Sequence, residues 1–229
     1  MCGRFAISLP KEAMTELFKA TPANDLPKTP NYNVCPTNNI HTVTSDKGIR
    51  HLRAMRWGFV PSWYATLSGG PLLINARSET IAKKPAFREA CRNRRCLIPA
   101  DGFYEWARNE GEKPSPYRAL RSDGLPMAMA GIWQNYEISG SIITTCAIVT
   151  TYANKTMGKI HHRLPVILGQ EDWPLWLGEA GKGAANLMQP VEEHILDLQR
   201  VSTAVNSNRA SGSELWDHIL NSSLPILSF

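Results

Sequence analysis

Cys2 directly follows Met1. Cysteine is small enough for the methionine to be removed, and the new N-terminus then carries an α-amine and a thiol on adjacent carbons. The amine titrates near about 7.7–8.0 and the thiol near about 8.5, so each keeps a nucleophilic fraction at neutral pH. An amine condenses with an aldehyde to a Schiff base, and the neighbouring thiol can close a five-membered thiazolidine ring. By position alone, a Met-Cys start that simply packs in a strand is an equally plain account.

Three other segments carry groups suited to proton transfer and orientation. LLINARSET presents Asn75 and Arg77 between an apolar strand and a polar helix start. PADGFYEWAR sets Glu105 on a strand between Tyr104 and Trp106, and KIHHRLPVIL sets His161, His162 and Arg163 just before another strand. Each has an ordinary alternative: Asn75 as a helix cap, Glu105 paired with an arginine, the two histidines as a surface turn. Trp63 and Tyr64 stand in a Pro- and Gly-containing loop, where they either anchor the loop or offer rings for stacking. The remaining cysteines, Cys35, Cys91, Cys96 and Cys146, show no C-x-x-C spacing. They read as buried small hydrophobes, and neither a metal nor a cofactor is expected.

These residues must be positioned by a mainly β framework. Residues 2–8 read as a short strand and KEAMTELFKA as a helix, with Ala13, Leu17 and Phe18 at helical spacing. The Pro- and Asn-rich stretch 21–38 reads as an irregular wrapped loop, followed by strands at 41–45 and 50–57. Short helices are expected at 78–83 and 87–92, separated by Pro85. RRCLIP, FYEWAR, YRAL, PMAMAGIW and SIITTCAIVTT then read as strands, with turn signals in NEGEKP, RSDG and EISG. Further helical turns are expected at 154–159, 171–177 and 191–199. The expectation is α+β: one domain over 1–229, built on a mostly antiparallel, barrel-like β-sheet with short peripheral helices.

Composition narrows the class. The 229 residues are 43% hydrophobic and 20% charged, which excludes a disordered chain. No run of about 18 apolar residues is present, so a membrane span is not expected. Five cysteines, an odd number, suit a reducing compartment, and the cytoplasm is the default. The formal net charge is +5, unevenly spread. Between residues 50 and 96 ten Lys and Arg face only Glu79 and Glu89, whereas from Glu171 onward eight acidic residues face Lys182, Arg200 and Arg209. The basic segment reads either as a solvated face or as one that attracts a phosphate backbone.

Taken together, the motifs resemble the SOS-response-associated peptidase (SRAP) family. They are C-G-R-F at 2–5, Y-N-V-x-P at 32–36, W-G-F-x-P at 57–61, I-N-A-R-x-E-T at 74–80, G-F-Y-E-W at 102–106 and H-x-R-x-P at 161–165. The resemblance implies the SRAP fold and a protein that recognises abasic sites in single-stranded DNA. It also implies a covalent thiazolidine crosslink through Cys2 after Met1 is removed, protecting the lesion during the DNA damage response. Asn75, Glu105 and His161 fall on the family's other active-site positions. Glu105 suits a general acid/base for carbinolamine dehydration, His161 a donor to the opened sugar, and Asn75 a non-titrating orienter. His162 lies outside the motif's histidine position. Arg4, Arg77 and Arg163 are expected to engage phosphates, and Trp106, Trp63 and Tyr64 to stack on bases. The family commonly carries two adjacent tryptophans in this loop, so Tyr64 departs from the pattern, as does Leu164 from the Met or Arg seen in relatives. A monomer is expected, associated with the nucleoid when DNA is damaged if the host is bacterial.

Three other activities stay open at the level of sequence. A thiol (auto)peptidase exposing Cys2 would need a Cys2 thiolate beside a histidine base. An AP-lyase activity is chemically adjacent, since a Schiff base at an abasic site acidifies the neighbouring C–H. A non-covalent single-stranded DNA-binding module would need neither Glu105 nor His161.

Overall fold

The longest apolar runs become the longest strands, and two of them are joined by the tightest kind of turn. In the computed structural model, which describes residues 2–108, 110–111 and 113–219, the chain begins with β1 (Arg4–Ile7), α1 (Lys11–Phe18), β2 (Ala20–Pro22), β3 (Asn31–Val34), β4 (Asn39–Asp46) and β5 (Ile49–Trp57). After a long loop come β6 (Asn75–Arg77), α2 (Ser78–Ile81), α3 (Arg88–Asn93), β7 (Arg95–Ala100), β8 (Gly102–Ala107) and β9 (Ser115–Arg121). The rest comprises β10 (Met127–Ile138), β11 (Ser141–Tyr152), α4 (Lys155–Gly158), β12 (Arg163–Pro165), α5 (Trp173–Leu177) and β13 (Leu196–Arg200), with several 3-10 turns. The β10–β11 hairpin closes at Ser139 and Gly140 (φ 52° and 75°), and the β4–β5 hairpin at Lys47 and Gly48 (φ 50° and 83°). Positive φ at both central positions gives the turn twist that matches right-twisted strands.

Strands β5, β4, β7, β10 and β11 form a barrel. It closes through a parallel pairing of β11 with β5, where Thr145 faces Arg56 and Cys146 faces Trp57. β2, β6 and β12 extend this sheet, and a second, wholly antiparallel sheet runs β13-β9-β8-β1-β3. One apolar cluster spans both sheets. Phe5 of β1 meets Trp57 of β5 with ring centroids 5.3 Å apart, and Phe18 of α1 stacks on Trp173 of α5 at 4.5 Å. Truncating one of these aromatics to Ala would cost about 3–5 kcal/mol. The mostly antiparallel, barrel-like α+β fold expected from sequence is the fold found.

Two local expectations are corrected, and a third is narrowed. Residues 191–199 hold a 3-10 turn at Glu193–Ile195 and then β13, not a helix. The alternation of Leu196 and Leu198 with polar residues suits a strand, and β9 offers the edge it pairs with. The wrapped loop at 21–38 contains β2 and β3, each recruited by a neighbour rather than by its own propensity. Part of the basic segment is spent inside the protein, while Arg77, Lys83, Lys84, Arg88 and Arg92 stand exposed. Arg50 is ion-paired with Glu179 at 2.7 Å, Arg56 donates to the Gly58 carbonyl, and Arg95 donates to the carbonyls of Trp176, Cys91 and Arg92. Cys35, Cys96 and Cys146 are buried and Cys91 is half-buried. No helix among the described residues is long and apolar enough to cross a membrane.

Candidate active site

The two sheets each deliver half of the proposed chemistry. β1 pairs antiparallel with β8, Arg4 facing Tyr104 and Phe5 facing Phe103. Continued toward the N-terminus, that register sends Gly3 and Cys2 alongside Glu105 and Trp106. The barrel supplies the other half through the C-terminal end of β11. There β6 pairs in parallel, with Asn75 facing Ile148, and β12 pairs antiparallel, with Arg163 facing Tyr152. Asn75 and the turn ending at His161 therefore share one supporting strand. The Trp57 indole N–H, donating to the Ile74 carbonyl at 3.0 Å, ties β5 to the same segment.

Contacts and fields show the convergence. The Asn75 amide Nδ2 donates to the Cys2 carbonyl oxygen at 2.9 Å. Its Oδ1 is buried and has no hydrogen-bond partner among the described residues. Such an acceptor is costly to leave unmet and therefore suited to a substrate donor. Cys2 is fully buried, with Sγ 4.0 Å from the Arg4 carbonyl. Burial pushes its thiol well above the ordinary range, and the nearby Glu105 carboxylate pushes it further. For His161, burial lowers the pKa and outweighs the Glu105 charge, which acts to raise it. The imidazole is thus neutral at pH 7. Its Nδ1 lies 3.0 Å from the Arg163 backbone N and 3.3 Å from the Arg163 carbonyl oxygen; accepting at the shorter contact leaves the ring proton on Nε2. His162 stacks on His161 with centroids 4.3 Å apart and is the more exposed ring.

A cleft of about 1120 Å³ lies over this cluster, with Glu105, Trp106, His161 and His162 in its lining. Trp106 is held from two sides: its indole N–H donates to Asn206 Oδ1 at 2.6 Å, and the Arg4 guanidinium lies 5.6 Å from its ring centroid. Arg77 is exposed. Arg4 and Arg163 are buried and most of their donors are spent on the protein. Arg4 binds Asn33, the Val205 carbonyl and Asn208, and Arg163 binds both oxygens of Glu79 as well as Thr150. Arg4 still lines the cleft, whereas Arg163 does not, and among the described residues only Nε of each guanidinium has no partner. Trp63 is 60% exposed and Tyr64 packs edge-on to it at 6.4 Å, but neither lines the cleft. Lining residues that the motifs did not single out include Arg108, Lys113 and Asn206. Arg108 directly precedes the NEGEKP turn signal and Lys113 lies within it, whereas nothing in the local sequence marks Asn206.

The sequence profile of the SOS response associated peptidase (SRAP) family matches residues 1–208. The chain belongs to the SRAP family. Among curated SRAP relatives, the abasic site processing protein YoqW of Bacillus subtilis (strain 168) is 37% identical over 223 residues, covering 94% of this chain and 98% of that protein. The abasic site processing protein YedK of Escherichia coli (strain K12) is 32% identical, again covering 94% and 98%. HMCES of Xenopus tropicalis, also an abasic site processing protein, is 32% identical, covering 83% of this chain and 67% of its own. A crystal structure of a Bacteroides thetaiotaomicron protein superposes with a TM-score of 0.84 at 24% identity, covering 96% of this chain and all of that one, and shares the SRAP fold.

Proposed function

We propose that this SRAP protein processes abasic sites in single-stranded DNA by forming a covalent link through Cys2. The observation that carries the reading is the meeting of Cys2, Asn75, Glu105 and His161 from two different sheets beneath one cleft. Removal of Met1 converts the Cys2 amide nitrogen into an amine. That amine adds to the aldehyde of the ring-opened abasic sugar, giving a carbinolamine. Loss of water yields the imine, with Glu105 delivering the proton to the departing oxygen and later receiving one. The Cys2 sulfur then adds to the imine carbon while its proton passes to nitrogen, closing the thiazolidine. Asn75 orients residue 2 through its carbonyl and offers Oδ1 to a sugar hydroxyl. Neutral His161 acts as a hydrogen-bond donor through Nε2.

Phosphates are assigned first to exposed Arg77 and to Arg108 and Lys113 at the cleft. Arg4, on the cleft wall, adds positive potential, while the Arg163 charge is met by Glu79. Trp106 and exposed Trp63 offer ring faces to neighbouring bases, and Tyr64 supports Trp63. A thiol peptidase is the weaker reading, because burial and Glu105 both oppose the thiolate such an enzyme needs. The same imine would serve a lyase, with Glu105 as the base.

The test is a denaturing gel with an abasic single-stranded oligonucleotide. The parent protein should give a stable shifted band. Cys2→Ala keeps an amine but has no sulfur, so its adduct should survive denaturation only after borohydride reduction. An equally stable band from Cys2→Ala without reductant would overturn the mechanism.

A further inference from the structure

His161 reaches the cleft on a turn whose far end is held by residues well outside the site. The turn is continuous in its hydrogen bonds. Asn154 caps α4, its Oδ1 accepting the Met157 N–H at 2.9 Å. Gly158 N donates to the Asn154 carbonyl at 2.8 Å, and both Ile160 N and His161 N donate to the Met157 carbonyl at 2.9 Å. The Arg163 N–H then returns to His161 Nδ1. A displacement at the start of this turn therefore reaches the ring through rigid, short-range contacts.

The start is anchored by the 3-10 turn before β13. The Glu193 carboxylate accepts the Lys155 N–H at Oε1 and the Thr156 N–H at Oε2, both at 2.9 Å. The Thr156 hydroxyl donates to the Glu193 carbonyl at 3.1 Å. Asn154 Nδ2 donates to the Val191 carbonyl at 3.0 Å. Glu193 is exposed, lines no part of the cleft and touches none of the reacting groups. The two N–H groups it receives are the orphan donors of a helical first turn, which a carboxylate meets well.

We propose that Glu193 is a positioning residue for His161, clamping the first turn of α4 so that the imidazole holds one tautomer and one orientation in the cleft. The inference rests on the reading of His161 as a donor to the substrate. Groups facing the ring are Glu105 of β8 and His162 beside it, with Arg108 and Lys113 elsewhere on the cleft wall. None of these is altered by a change at Glu193.

The test compares Glu193→Ala and Glu193→Gln with the parent in three measurements. These are the 15N signals of the His161 ring in the free protein, the rate of the stable crosslink to an abasic single strand, and affinity for the same strand without the lesion. In Glu193→Ala the His161 signals should lose their single Nε2–H signature and its titration should move up toward the ordinary histidine range as the ring loosens. The crosslink rate should fall about fivefold, the loss of one good helix cap, with affinity for the intact strand unchanged. Glu193→Gln, which keeps a carbonyl acceptor, should recover part of both. Parent-like His161 signals in Glu193→Ala would overturn the positioning role, as would altered signals with an unchanged rate. If the parent itself forms no crosslink, the proposed function fails, while the ring signals still decide whether Glu193 holds His161.

Discussion

At the scale of single residues, one carboxylate connects the two nucleophilic and donor groups. Glu105 is buried, and its charge acts on both the Cys2 thiol and the His161 ring. Burial and then this charge hold the thiol protonated, and in the proposed chemistry the same carboxylate moves the protons. Glu105→Gln should therefore separate two properties. The Cys2 thiol pKa, followed by its 13Cβ shift, should fall, because a negative neighbour has gone. The crosslinking rate should nevertheless drop by about 10²–10⁴, the usual contribution of a positioned acid/base. A rate that rose along with thiol acidity would point to a thiolate nucleophile and against amine-first chemistry. The identities of Asn75, Glu105 and His161 were legible as motif positions. Their common focus was not, because they lie on segments whose approach depends on sheet pairing. The surroundings of Arg4 and Arg163 were also hidden, since nothing in R-F or H-R-L-P says that a guanidinium will be walled in by Asn208 or Glu79.

At the scale of elements, β8 is the beam that places Glu105, and its first residue admits no side chain. A Cβ on Gly102 would run into the Ala119 carbonyl oxygen of β9 and press on the Trp216 ring. Neither can move without breaking the pairing in which Gly102 faces both Ala6 and Leu120. Gly102→Ala should cost about 1–3 kcal/mol in a urea melt, the range for overpacking a filled site. It should also slow crosslinking, because Glu105 lies three residues along the displaced strand. Parent-like stability would show that β8 and β9 can part without consequence. The hairpins β4–β5 and β10–β11 were readable from alternation and turn residues. β13 was not: its alternation is short, and what makes it a strand is the free edge of β9.

At the scale of the whole molecule, buried His41 and half-buried His161 bear on the response to acid. His41, within β4, is held down to about 4 from its ordinary 6.5, chiefly by burial, and His161 is lowered in the same direction. Between those limits the unfolded chain binds a proton at His41 that the folded chain refuses, so stability rises with pH across the window. The contribution is complete above 6.5 and lost as pH falls toward 4. For His41 it amounts to about 3 kcal/mol at most. Melting temperature should decline from pH 6.5 to pH 4, and His41→Gln should flatten that decline. An unchanged slope in the variant would assign the acid response to other groups. By itself, the sequence determined what kind of chain this is: its family, its mostly antiparallel β framework and the residue types able to capture an aldehyde. Those follow from local pattern and from motifs that keep their order along the chain. Only the tertiary structure decided which of those residues meet, which arginines are spent inside, and that Glu193 reaches the turn carrying His161. Long-range pairing brings together residues scores of positions apart, and only then do burial and neighbouring charge act on them.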